Sequence, residues 1–184
     1  MRKIIDGYLK MIDAVNDRVG KWVSFLGLLM MVIVVIEVVS RYIFNSPTIW
    51  ATEMNEMLLC AYAALAGGYA LLHGAHVSVE IVQERMSRKT RAVLNLFTYL
   101  IGFVFLAILI WTSWENAMEA WEYSERSESL FAPPLFPVKV TIPIGGALFF
   151  LQLIAWYIRE IRVLMGNGES QSDNATLSGE GASK

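Results

Sequence analysis

The chain has 184 residues, of which 55% are hydrophobic and 17% charged, with a formal net charge of -2 and a mean hydropathy of +0.47. Soluble domains carry about 45–50% apolar and about 25% charged residues, so this is the composition of an integral membrane protein, with no room beside its spans for a catalytic domain of about 100 residues. The slight acidity gives no reason to expect a nucleic acid partner; the one cysteine, Cys60, excludes an intramolecular disulfide, and the two histidines, His73 and His76, leave little to hold a metal or haem.

In chain order, residues 1–21 place Ile4, Ile5, Tyr8, Met11, Ile12, Val15 and Val19 at helical spacing, with charges on the other face. The pattern predicts an amphipathic helix lying on the membrane surface. A cleaved signal peptide does not fit, because the charged stretch is long and no small-residue cleavage site follows the apolar run. The first expected span is 22–44, with Glu37 and Arg41 near its far end. The NSP run at 45–47 closes it, since a residue before proline avoids the helical region. The second span is 50–72, with Glu53 and Glu56 in its first turns, and a polar segment at 73–91 follows. The third span is 92–114, expected to continue as a water-exposed helix to about residue 126. APPLFP at 132–137 breaks the chain, and the fourth span is 140–158, with Pro143 in its first turn, where a missing N–H costs little. Residues 161–184 are expected to be a cytoplasmic tail, disordered where Gly, Ser, Asn and acid accumulate. The expected fold is therefore all-α: an interfacial helix at 1–21 and a four-helix transmembrane domain at 22–160, with neither internal repeats nor the inverted broken helices of many transport cores.

Lysine and arginine placement sets the orientation. Arg2, Lys3, Lys10, Arg18, Lys21, Arg85, Arg88, Lys89, Arg91, Arg159, Arg162 and Lys184 fall on one side. Arg126 and Lys139 fall on the other, with Arg41 near a span end. Both termini are thus expected in the cytoplasm. Trp22 and Trp156 at the cytoplasmic ends, and Trp50, Trp111 and Trp114 at the outer ends, suit the aromatic belts of a protein in contact with membrane lipid.

Each polar constellation has two readings. Glu37 and Arg41, four apart, satisfy each other as an intramembrane ion pair, or else mark an ion or substrate path. Glu53 and Glu56 complement a helix N-terminus and face an interface, or else begin a cation site that lacks neighbouring oxygen ligands. Ala63 and Gly67, and Ala64 and Gly68, are small-xxx-small pairs that let another helix approach closely, in this chain or in another subunit. His73 and His76 sit at one membrane end, which suits a polar turn better than haem ligation. Glu115, Glu119, Glu122, Glu125 and Glu128 make an acidic ridge relieved by Arg126, either a solvated face or a docking surface for a soluble partner. No nucleophile–base arrangement, phosphate-binding glycine loop or cysteine pair is present, so the sequence offers no catalytic residue.

Two stretches, RYIFNSPTIWATE at 41–53 and GGYALLHGAHVSVEIV at 67–82, join with the run APPLFPVKVTIPIG at 132–145. With four spans and this length, the chain resembles the small permease subunit of tripartite ATP-independent periplasmic (TRAP) transporters over about residues 20–160. One departure is His73, where that family usually has a basic residue. The resemblance implies a bacterial inner-membrane system of three parts. A periplasmic substrate-binding protein captures an organic acid. A large, many-spanning permease subunit holds the substrate and sodium sites and moves in elevator fashion. The small subunit clasps it as a fixed scaffold and needs no cofactor of its own. On those terms Glu53, Glu56, Ala63, Ala64, Gly67, Gly68, Glu115, Glu119 and Glu122 are the candidate contacts with the large subunit or the receptor. Two other classes compete: the membrane anchor of a redox complex, and a self-contained homo-oligomeric transporter.

Overall fold

The computed structural model describes residues 2–73 and 88–164. Among these residues the structure is all-helical, apart from one isolated bridge between Arg126 and Pro134. Four elements carry the fold: α1, Arg2–Tyr42; α2, Ala51–Leu72; α3, Arg88–Glu122; and α5, Thr141–Leu164. The short α4, Phe136–Lys139, leads into α5. Four helical stretches are long and apolar enough to cross a membrane: Ile5–Tyr42, Ala51–Leu72, Phe97–Glu122 and Phe136–Arg162.

The first helix differs from the expected division into a surface helix and a span. It runs unbroken for 41 residues, through positions 21 and 22. Only Gly20 weakens the junction, by about 1 kcal/mol relative to alanine, and there is no proline there to force a break. At about 1.5 Å per residue the rod is about 60 Å long, twice the roughly 30 Å of a hydrocarbon core. It ends where Asn45 takes a left-handed φ of 49°, a conformation that asparagine tolerates. The amide of Ser46 then folds back to the Ser40 carbonyl at 3.0 Å.

The other boundaries follow local chemistry. α2 begins within a residue of expectation, with Glu53 in its first turn complementing the helix dipole. α3 stops at Glu122, and Ser124 enters the left-handed region at φ 49°. In α5, Pro143 occupies the first turn, where its missing N–H removes no helical bond.

In space the helices lie in the order α1, α2, α5, α3, with their contacts concentrated on those neighbouring pairs. α2 and α5 run parallel in the middle: Gly145 lies on the Ala64 carbonyl, Gly67 on Phe149, and Gly68 on the Leu148 backbone. α1 crosses α2 antiparallel, with Gly20 against Tyr69 and Asn16 against Gly68. α3 is antiparallel to α5, with Phe103 edge-on to Phe150 at 5.3 Å and Tyr99 edge-on to Trp156 at 6.2 Å.

The main core is Leu71, Leu106, Leu153 and Trp156. Burial of Trp156 removes it from the aromatic belt in which its position near a span end would place it. Trp22 and Trp111 stay outside, 72% and 68% exposed. The large apolar side chains Val32, Val35, Phe105 and Ile108 also face outward. An apolar exterior around a small core suits lipid as solvent.

Candidate functional site

The polar side chains gather at the two ends of the helices. At the loop end, where 43–50 and 123–135 connect the helices, Glu37 and Arg41 meet as their spacing predicts. Arg41 donates to Glu37 Oε1 from Nε at 3.0 Å and from Nη2 at 2.5 Å. The backbone N–H of Thr48 donates to the other carboxylate oxygen at 3.0 Å, and the Thr48 hydroxyl donates there too. Glu37 therefore ties the 43–50 loop to α1 and leaves no carboxylate oxygen unpaired. That is the geometry of a structural knot rather than of a free ion-conducting carboxylate.

The second connection is equally well fixed. Ser129 donates to Glu53, which joins the 123–135 loop to the start of α2. Lys139 donates to Glu125, and Arg126 Nη1 donates to the Ala132 carbonyl at 3.2 Å. The acidic ridge is thereby divided. Glu125 pairs with Lys139, while Glu115, Glu119, Glu122 and Glu128 stay exposed. On α3, Glu115, Glu119 and Glu122 are spaced four and three apart and so share one face. Trp111, Trp114 and Trp121 are exposed on the same helix. Glu56 is exposed as well, and among the described residues it has no ionic partner.

The small-residue positions resolve into two groups. Ala64, Gly67 and Gly68 are taken up by helices of this same chain, and a Cβ at Gly68 would overlap the Asn16 side chain. Ala63 is exposed on the other face of α2. His73 stacks on Tyr69, with ring centres 4.1 Å apart, and its Nδ1 lies 3.1 Å from the Tyr69 carbonyl. His76 and the remainder of the 74–87 segment fall outside the described residues, as does the tail from 165. Among the described residues, no group of three or more His, Cys, Asp or Glu is placed to hold a metal ion.

Sequence reasoning missed a polar seam at the opposite, terminal end. Buried Asn16 donates to Gln152 Oε1 at 2.8 Å, and Gln152 donates to Asp13 at 3.0 Å. Arg159 donates to Asp13, and Arg162 Nη1 donates to Asp6 at 2.7 Å. Beside this ladder, Leu9 and Ile12 bury against Ala155. Part of the apolar stripe read as facing a membrane surface thus faces α5 instead, while Met11 and Val15 remain exposed. The available signal was Gln152, a lone amide inside the run FFLQLIAW, which in an apolar span demands a partner.

These contacts tie the loops to the helix ends and the first helix to the last. The family model described as the DctQ component of tripartite ATP-independent periplasmic transporters matches residues 30–163. The sialic acid TRAP transporter permease protein SiaT of Haemophilus influenzae (strain 86-028NP) is 30% identical over 78 residues, which cover 42% of this chain. That match spans 13% of the SiaT length, so most of SiaT has no counterpart in it.

Proposed function

The chain belongs to the DctQ component family of TRAP transporters, a family of transport components rather than enzymes, and we propose that it is the fixed scaffold of such a transporter. It is a multi-pass inner-membrane protein by its helices and its family. In the proposed complex its partners are a large permease subunit in the membrane and a periplasmic substrate-binding protein. The cargo is an organic acid, a carboxylate, moved by symport with sodium. Both sodium and substrate reside in the large subunit, and this chain carries no cofactor.

The observation that supports this reading best is the division of labour among faces. The α2–α5 seam is closed by Ala64, Gly67, Gly68 and Gly145, and the α1–α5 seam by the polar ladder. The helices are therefore fixed to one another, while the outer faces of α1 and α3 stay apolar and uncovered. A fixed frame with bare flanks is what an elevator needs beside the part that moves. The Glu115, Glu119 and Glu122 face lies at the loop end, and we assign it to receptor docking, where exposed charge speeds encounter.

The test is uptake by the reconstituted three-part system. Reversing Glu115, Glu119 and Glu122 to lysine lowers receptor-dependent uptake at low salt by about tenfold or more if the face docks the receptor. Unchanged uptake at normal membrane levels contradicts that role.

A further inference from the structure

A cleft of about 420 Å³ opens between the loop ends of α1 and α2. That lies within the about 300–1,000 Å³ of small-ligand sites. One wall is the side of α1 that carries the apolar Ile33, Val34 and Val38, with Glu37 and Arg41 at its loop end. Asn55 and Glu56 of α2 complete the polar part. The cleft thus sits where an apolar span gives way to its loop, the depth of lipid headgroups.

The hydrogen-bond inventory of this cleft is incomplete in a specific way. Glu37 is saturated by Arg41 and Thr48. Arg41 uses Nε and Nη2 on Glu37; its Nη1 has no acceptor among the described residues, and the side chain is 51% exposed. Asn55 Oδ1 is shut away from solvent and accepts from no donor among the described residues. Glu56 is exposed in the lining without a cation. Since Glu37 and Arg41 cancel, Glu56 gives the cleft an uncompensated negative charge.

A ligand that completes this inventory has three parts. It needs a cation with N–H donors for Glu56 and Asn55, an anionic oxygen for Arg41, and an apolar chain for the α1 wall. A primary ammonium carries three donors, whereas a quaternary ammonium carries none. An anionic lipid without an amine meets Glu56 unfavourably. We propose that this cleft binds the headgroup of an aminophospholipid, with its ammonium on Glu56 and Asn55 and its phosphate toward Arg41. The apolar wall and the membrane-boundary depth select a lipid over a soluble phosphoamine.

The experiment is native mass spectrometry of the full chain in detergent, titrated with phosphatidylethanolamine, phosphatidylcholine and phosphatidylglycerol of identical acyl chains. The protein retains phosphatidylethanolamine over the other two by about tenfold, the worth of one charge-assisted hydrogen bond. Glu56→Gln and Asn55→Leu each reduce the preference to within about twofold, whereas Glu119→Gln leaves it intact. Glu56 is exposed, so its substitution leaves the fold in place. Equal retention of the three lipids, a preference for phosphatidylglycerol, or a preference that survives both variants overturns the proposal. Labelling of Glu56→Cys that is blocked by a co-purified polypeptide, and not by phosphatidylethanolamine, assigns the cleft to a protein and overturns it as well.

Discussion

Gly145 marks the closest approach of α2 and α5, and a Cβ there would overlap the Ala64 carbonyl. Neither backbone can retreat without unpacking its helix. Gly145→Val is therefore expected to destabilise the protein by about 1–3 kcal/mol, the cost of overpacking a tight contact. Thermal unfolding in detergent reads the loss, and Gly27→Val is the control, since a Cβ at Gly27 meets nothing within 4 Å. An equal loss in both variants would contradict the seam. The Glu37 knot makes a second residue-scale prediction. Glu37→Gln keeps the shape but weakens the hold on Arg41 and Thr48, so amide exchange at Thr48 quickens while exchange in mid-α2 does not change. Much of this scale was legible in the sequence. The Glu37–Arg41 pair follows from their spacing, and Gly67 and Gly68 from small-xxx-small pairs. Gly145 was not legible as a contact, because periodicity names a face but not what meets it.

At the scale of elements, α1 joins two readings in one rod. The amphipathic pattern of 1–21 and the apolar run of 22–44 are both in the sequence, but nothing local fixes the angle between them. The structure makes them collinear, and the ladder from Asp6, Asp13 and Asn16 to Gln152, Arg159 and Arg162 ties the first half to α5. Those partners stand well over a hundred residues apart, which is why no window of sequence displays them. Such bonds add to van der Waals packing in lipid, where no hydrophobic drive holds one helix to another. Arg159→Leu is expected to destabilise the α1–α5 contact by about 1–3 kcal/mol, because it leaves Asp13 short of a charged donor. The readout is disulfide formation between Ile12→Cys and Ala155→Cys in a background lacking Cys60. The cross-link forms readily with Arg159 present and slows in the Arg159→Leu protein. Equal rates would show that the ladder does not hold α1. The starts of the helices α2 and α5 were legible to within a residue, where Glu53 and Pro143 mark first turns. α5 continues to Leu164 rather than 158, because Arg159, Glu160 and Arg162 still have partners in the packed bundle and need not end it.

The described helices form a row, with α2 and α5 between α1 and α3. A row has two flanks, and here both are apolar. Lipid satisfies them chemically, and so does a larger membrane partner. We propose from the charge asymmetry of the loops that both termini lie in the cytoplasm. A membrane-impermeant maleimide is then expected to label Leu130→Cys from outside intact cells, where Leu130 is 92% exposed in its loop, and to leave Lys10→Cys unlabelled until the membrane is opened. The reverse pattern would invert the orientation and remove the acidic α3 face from the receptor side. The four-helix plan was legible from apolar run length, because lipid forces every spanning segment to be long and regular. The order α1, α2, α5, α3 was not, because four similar apolar rods pack in several orders at nearly the same burial.

We propose this chain as the frame for a larger moving subunit, and co-purification decides whether it is one. The full chain, tagged and extracted gently from its own membranes, is expected to bring with it a stoichiometric many-spanning protein that lies against α1 or α3. A clean homo-oligomer with no such partner, and uptake by this chain alone, would contradict the role of a frame.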